Sequence, residues 1–312
     1  MVFKTVDLDI PEKKHQGKVR DFYNINSQRI LITTDRISAF DRVLGYIPHK
    51  GQVLNQLSQF WFEKTKDIVE NHLIEVIHPN VMVVHEANPY AVEMVVRGYI
   101  SGVTSTSLWK NYEKGERIIY GLRFPDGLKK NQKLASSVIT PTTKAEKGRH
   151  DARLTETEIF KKKLISPQTW KKMVKTSLAL FERGTKICAK NGIILVDTKY
   201  EFADYKGSLM LIDEIHTPDS SRFWKKDTYR QRFAKGQEPE NFDKEFFRIW
   251  YAKKGYLGNG PPPEMSRDLM IKTSLRYIRI YEMITEKKFI PEIYPLERKI
   301  IRTVKDYIGR KS

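Results

Sequence analysis

Apolar positions fall into short β-like runs in the first part of the chain and into longer helical stripes in the second. Residues 17–23 read as a hairpin, 30–34 as a buried strand and 81–84 as another apolar run. Between them Leu57, Phe60, Trp61 and Thr65 recur at helical spacing, which predicts a helix over 55–68. The β-branched run 92–96 follows a turn signal at Asn88-Pro89. A lobe boundary is placed there, giving a β-rich lobe over 1–90 and a larger α/β lobe with C-terminal helices over 91–312. In the second lobe Ser166-Pro167 starts a helix with Trp170, Val174, Leu178 and Phe181 on its apolar face, ending at Asn191-Gly192. Ser266 caps another, whose face carries Leu269, Met270, Thr273, Tyr277, Ile280 and Ile284. The tracts 229–240 and 258–263 (GNGPPP) read as loops. The expected class is mixed α+β.

The segment 191–224, NGIILVDTKYEFADYKGSLMLIDEIHTPDSSRFW, says most about chemistry. A strand repeats every two residues, so Asp197, Lys199 and Glu201 share one face. A second apolar run, 209–212, ends in Asp213 and Glu214 and is followed by His216, Asp219, Ser220, Ser221 and Arg222. Strands that finish in carboxylates beside a Lys and an Arg suit a hydrated divalent cation and a phosphorylated ligand. Any one of these charges alone is more simply a solvated hairpin residue; their clustering favours a site.

Four other segments carry candidate chemistry. Gly17-Lys18-Val19-Arg20-Asp21 lets backbone approach a phosphate between two cations, although an edge hairpin can carry lysine merely to deter aggregation. Residues 33–41, TTDRISAFD, are either a side-chain-bonded turn or a substrate-lining loop. Arg97 closes the strand beginning near Glu93, ahead of a Gly/Ser/Thr loop that includes Ser105 and Ser107. Residues 140–151, TPTTKAEKGRHD, offer Lys144, His150 as a general base, and Asp151 as a ligand to a hydroxyl or ammonium group. Spacing alone leaves open which carboxylates of the 191–224 hairpin converge.

Bulk properties narrow the classes. Fifteen Phe, 15 Tyr and 5 Trp supply a real core in 312 residues, so the chain is globular rather than disordered. No run approaches the roughly 18 apolar residues of a membrane helix, and the N-terminus lacks the apolar centre of a signal peptide. The single cysteine, Cys188, excludes an internal disulfide and reads as a small buried thiol in a helix, which suits a reducing cytoplasm. The net charge of +18 would suit nucleic acid, but the basic residues are dispersed. The runs at 161–163, 171–172 and 298–305 look like solvated helix faces. A positive field also steers small anionic substrates, so neither a specific nucleic acid nor a membrane is expected as partner. Both a monomer and a homodimer are compatible with the sequence.

Taken in order, these segments resemble the SAICAR synthetase family. The likeness rests on GKVRDFY (17–23), TTDRISAFD (33–41), KGQVLNQLSQFWF (50–62), EMVVRGY (93–99), SLWKNY (107–112), TPTTKAEKGRHD (140–151), DTKYEF (197–202), DEIHTPDSSRFW (213–224) and DKEFFRIW (243–250). Where the family has a short Gly-Ser step after the arginine strand, GVTST intervenes here, so its substrate serine corresponds to Ser107 or Ser105. The resemblance implies an antiparallel N-terminal lobe covering ATP and a larger α/β lobe, loosely kinase-like. It also implies a ligase of purine biosynthesis that joins L-aspartate to carboxyaminoimidazole ribonucleotide (CAIR) with ATP and Mg²⁺. By that likeness Gly17, Lys18, Val19, Arg20, Glu93, Lys144 and Asp213 would lie at the nucleotide, and Glu201 and Asp213 at Mg²⁺. Arg97, Ser107, Asp151, Lys199, Ser221, Arg222 and Arg248 would bind CAIR. Asp197 and Asp219 would orient these cations, with Lys199 and Arg97 at the reacting groups. Aspartate is expected near residues 33–41. Another ATP-dependent kinase or ligase is the rival enzyme, and a basic nucleic-acid-binding protein the rival from another class.

Overall fold

The computed structural model describes residues 1–144 and 151–311. His150 therefore lies outside the described residues. The chain begins with β1 (His15–Gln16), β2 (Arg20–Ile25) and β3 (Gln28–Thr33), then a separate hairpin of β4 (Arg36–Ala39) and β5 (Arg42–Tyr46). Helix α1 (Lys50–Thr65) precedes β6 (Leu73–His78) and β7 (Val81–His85). The first sheet is antiparallel in the order β1-β2-β3-β7-β6. Alternation in β3 and β7 turns Ile30, Ile32, Val81 and Val83 to one core and Leu31, Met82 and Val84 to another.

The chain continues through β8 (Asn88–Ile100), α2 (Leu108–Glu113), β9 (Ile118–Ile119), β10 (Leu122–Arg123), β11 (Gln132–Ile139) and β12 (Thr142–Thr143). It then forms α3 (Glu156–Lys161), α4 (Pro167–Lys190), β13 (Ile193–Tyr205), β14 (Ser208–Ile212) and β15 (Ser221–Lys225). The last helices are α5 (Lys226–Ala234), α6 (Glu245–Lys253), α7 (Arg267–Thr285) and α8 (Glu297–Lys311). The second sheet runs β11-β8-β13-β14, with β12 on β8 and β15 on β13. Its long central strands β8 and β13 are covered on one face by α4. The architecture is mixed α and β with antiparallel sheets, as expected.

Several local expectations shift. Asn88-Pro89 is not a turn but the start of β8, pairing with Asp204 and Ala203 beside a register irregularity. Proline donates no N–H, and the irregularity is where a ladder can spare one. On α4, Ser166 caps as expected, but the buried stripe is Trp170, Met173, Ser177, Leu180, Phe181, Gly184 and Cys188, while Leu178 is exposed. Close approach to the sheet selects small residues that a count of large apolar ones passes over. A Cβ on Gly184 would lie 2.4 Å from His216 Cε1. Part of the 229–240 tract is helical, because α5 stacks Tyr229 on Trp224. In α8, Arg298, Lys299, Arg302 and Lys305 are exposed, whereas Ile300 and Val304 are fully buried. With Leu296 and Tyr307 they pack on Phe3, Leu8, Ile30 and Val81, so the last helix returns to the first sheet.

Candidate active site

Strand register assembles the site floor. In β8 and β13, Arg97 opposes Asp197, Lys199 opposes Val95, and Glu201 opposes Glu93; on the other side Asp197 opposes Arg222 of β15. Two-residue periodicity then puts Glu93, Val95, Arg97, Asp197, Lys199 and Glu201 on the face opposite α4. The apolar partners Met94, Val96 and Tyr200 turn into the core.

Between the two sheets lies a cleft of about 490 Å³. One end is an apolar slot of Phe22, Leu31, Val84, Ala87, Pro89 and Ile212. Its polar side brings together all seven residues expected at the nucleotide: Gly17, Lys18, Val19, Arg20, Glu93, Lys144 and Asp213. Gly17 N–H donates to the Arg20 carbonyl at 2.7 Å, closing the turn between β1 and β2. The Arg20 guanidinium donates to Asp213 Oδ1 and Glu214 Oε2, both at 2.6 Å. Burial opposes its charge, but Glu214 and Asp213 outweigh it and hold it cationic. Glu214, read in the sequence as a strand-ending carboxylate beside Asp213 but given no role by the resemblance, is a member of this cluster.

Lys199 is the hub of the cleft. Its Nζ donates to Glu93 Oε1 at 2.8 Å and to Glu201 Oε1, and lies 4.0 Å from Asp213. Lys144 donates to the other Glu201 oxygen at 2.6 Å. Burial would raise the Glu201 carboxyl, yet Lys199 and Lys144 hold it well below the usual carboxylate range. Asp213 goes the other way, pushed up to about 7 by burial and by the charge of Glu201 against the pull of Arg20 and Lys199. A carboxylate so destabilised is short of positive charge. Its backbone is held at φ 67, a left-handed conformation uncommon outside glycine. Among the described residues no group of three or more His, Cys, Asp or Glu could hold a metal alone. Any Mg²⁺ held by Glu201 and Asp213 would therefore need phosphate oxygens and water to complete its shell.

A second cleft of about 240 Å³ is lined by Arg97, Asp197, Ser221, Arg222 and Arg248 together with Thr104 and Thr106. Asp197 Oδ2 accepts from Arg222 Nη1 at 2.6 Å and from Arg97 Nη1 at 3.4 Å. Arg97 also donates to Thr140 and to the Thr106 carbonyl. Glu245 accepts from Arg222 at 3.5 Å and from Arg248 at 3.2 Å. Arg222 is partly buried, and its buried Nε is unpartnered by the chain, a spare donor suited to an anion. Ser107 does not line either cleft: it is buried and donates to the Thr104 carbonyl at 2.7 Å. Ser105 is exposed and lines neither. Of the residues in this loop, it is Thr104 and Thr106 that bring hydroxyls to the cleft. The inserted GVTST stretch brings them there, and Gly102 (φ +93) allows it, since a Cβ would sit 2.6 Å from Ser107 Cβ and 2.9 Å from Arg222.

The two clefts share a wall of Glu93, Asp151, Lys199, Asp219 and Ser220. The family model for SAICAR synthetase matches residues 13–261. The chain belongs to the SAICAR synthetase family. It is 46% identical over 314 residues to phosphoribosylaminoimidazole-succinocarboxamide synthase of Legionella pneumophila, covering 99% of this chain and 100% of that one. A putative synthase of the same name from Agrobacterium fabrum is 48% identical over 287 residues, 91% of each chain. Among solved structures, the SAICAR synthase of Saccharomyces cerevisiae complexed with SAICAR is similar at a TM-score of 0.78 and 30% identity. That match covers 92% of this chain and 99% of the yeast chain. A type-2 SAICAR synthetase in complex with ADP is similar at 0.68 and 27% identity, over 90% of this chain and 100% of that one. These relatives bear out the family and the antiparallel fold read from the motifs.

Proposed function

We infer that the protein is the ATP-dependent ligase that joins L-aspartate to CAIR, giving SAICAR, ADP and phosphate. The observation that carries this reading is the shared wall, where a phosphoryl donor in the first cleft would meet an acceptor carboxylate in the second. The solved relative with ADP and the one with SAICAR support it from both sides. An amine does not displace oxide from a carboxylate. The CAIR carboxylate oxygen instead attacks the γ-phosphorus of ATP and ADP leaves, forming an acyl phosphate. The aspartate amine, having lost a proton, then attacks the acyl carbon and phosphate departs.

Such a reaction asks the protein mainly for positioning and charge neutralisation. In this reading the apolar slot takes adenine, while residues 17–20 and Lys144 take the phosphates. Glu201 and Asp213 would hold Mg²⁺, which neutralises phosphate charge. Lys199 would stabilise charge on the transferring phosphoryl group from the wall itself. Arg222 and Arg248 would bind the CAIR phosphate, with Arg97 and Asp151 holding its ring end and Asp197 aligning both arginines. Residues 1–90, joined by the returning α8, would cover ATP, and the rest would hold CAIR. No helix among the described residues is long and apolar enough to cross a membrane, and we place the enzyme in the cytoplasm. The test is ADP release with each substrate omitted in turn. Rapid release should require ATP, CAIR, L-aspartate and Mg²⁺ together; full turnover without aspartate would mark a kinase and overturn the reading.

A further inference from the structure

The turn between β1 and β2 is gripped from outside the cleft that it lines. Arg36, the first residue of β4, is buried and lines neither cleft. Its Nη2 donates to the Gly17 carbonyl at 3.2 Å and its Nε to the Lys18 carbonyl at 3.4 Å. Thr34, also buried and outside both clefts, donates to the Val19 carbonyl from its N–H at 3.0 Å and from its hydroxyl at 2.8 Å. The carbonyls of Gly17, Lys18 and Val19 are thus all held by residues that no ligand in the cleft would touch. The N–H groups of Lys18 and Val19, by contrast, find no acceptor among the described residues. The grip is itself braced: Arg36 Nη2 donates to Asp21 Oδ1 at 2.6 Å, and Nη1 to the Lys4 carbonyl at 3.1 Å. Asp21 is fully buried, and its other oxygen accepts from the Thr5 hydroxyl at 2.6 Å. Asp21 compensates the buried guanidinium charge. The bonds to Gly17 and Lys18 add nothing to that balance; what they fix is the shape of the turn.

We propose that Arg36 is a positioning residue for phosphoryl transfer, keeping the Gly17 and Lys18 carbonyls off the ATP phosphates so that the turn meets them with N–H groups. The proposal rests on the ligase reading above, in which residues 17–20 take the phosphates. A carbonyl oxygen turned toward a phosphate oxygen repels it, whereas backbone N–H groups attract it. The conformation of the turn therefore decides whether it repels or holds the nucleotide. Arg36 sets that conformation in the folded protein, so the turn needs no reorganisation when ATP binds. A planar fork suits the task, because it reaches the carbonyls of Lys4, Gly17 and Lys18 together with Asp21. The compact ammonium of a lysine cannot span them.

The test compares the wild type with Arg36→Lys, which keeps the charge beside Asp21 and loses the fork, and with Thr34→Val, which loses only the hydroxyl bond. Steady-state ADP release is measured with each substrate varied, and inhibition is measured with ADP and with adenosine, which carries no phosphate. The KM for ATP and the inhibition constant of ADP should rise about tenfold in Arg36→Lys and about threefold in Thr34→Val, the scale of one or two lost hydrogen bonds. The inhibition constant of adenosine and the KM values for CAIR and L-aspartate should stay within about twofold, which a general loosening of the fold would not allow. Equal weakening of ADP and adenosine, or an unchanged constant for ADP in Arg36→Lys, would overturn the proposal. If thermal melting shows Arg36→Lys to be unfolded, an unchanged ADP constant in Thr34→Val overturns it instead. Calorimetric titration with ADP reads the same shift without turnover. Wild-type protein that binds ADP but releases none with all substrates present would therefore reject the ligase reading, while that titration still decides the role of Arg36 at the turn.

Discussion

Lys199 shows how a single side chain acquires a role from its neighbours. Burial alone would strip its proton, but Glu201, Glu93 and Asp213 overcome that and hold it firmly charged. Its ammonium is thus a fixed positive charge at the wall between donor and acceptor. Lys199→Ala should cut ADP release at least about a hundredfold, the scale of losing a preorganised electrostatic contact, with an unchanged circular dichroism spectrum. Near-normal turnover would remove Lys199 from the site. Arg222 depends on shape as well as charge, since its fork reaches Asp197 with one nitrogen and Glu245 with the other. Arg222→Lys keeps the charge and loses the fork, and should raise the KM for CAIR about tenfold while leaving that for ATP near its original value. At this scale the sequence was informative: the alternation of Asp197, Lys199 and Glu201 announced a shared face. The serine that the resemblance points to lines neither cleft, because in the inserted GVTST loop the backbone path, not residue type, decides which hydroxyl reaches it.

At the scale of elements, β13 is the spine of the site, pairing with β8, β14 and β15 along its length. Its apolar face needs α4 close behind it, and Gly184 makes room for His216, whose ring also meets the Tyr200 hydroxyl at 2.6 Å. His216 sits in the loop between Asp213 and Asp219, itself at φ 49, so pressure from α4 would be felt by that loop. Alanine is the better helix former by about 1 kcal/mol, yet Gly184→Ala should destabilise the fold by about 1–3 kcal/mol through overpacking. Urea unfolding measures this directly, and a stabilised variant would show that the loop yields freely. Helix existence was legible here from caps and periodicity, as at Ser166 and Ser266, which both bond the N–H three residues on. The orientation of α4 was not, because small residues at a close contact leave no hydrophobic signal.

For the whole molecule, the decisive feature is that the chain's end completes its beginning. Removing residues 295–312 would expose the core formed with Leu296, Ile300, Val304 and Tyr307 and should cost at least about 5 kcal/mol, from four buried side chains at about 1.5–3 each. Chemical denaturation of the truncated chain checks this; full stability would mean the helix is dispensable. Stability should also depend on pH through buried neutral histidines. Burial, then Arg20 and Arg29, push His72 down to about 3, and burial brings His216 to about 3. An unfolded histidine takes up its proton near pH 6.5, so this contribution is complete above that pH and is lost as pH falls toward 3. Asp213 and Asp243, both pushed up to about 7, act in the opposite sense below neutrality. Comparison with His72→Leu isolates the histidine: between pH 7 and 5 the wild type should lose about 2 kcal/mol more than the variant. Equal losses would place a proton on His72 in the folded state.

The sequence by itself determined the family, the class of fold and the residues with chemistry to offer, because motif order and strand alternation are local properties written along the chain. Only the tertiary structure decided which of those residues meet. The register of β8, β13 and β15 joined Arg97, Asp197 and Arg222, and the approach of the two sheets brought Arg20 onto Asp213 and Glu214. It also gathered Lys50, Lys244 and Tyr277 around Asp219. Such contacts span much of the chain, and nothing in local pattern encodes the partner of a buried charge; it is set by which surfaces must be buried together.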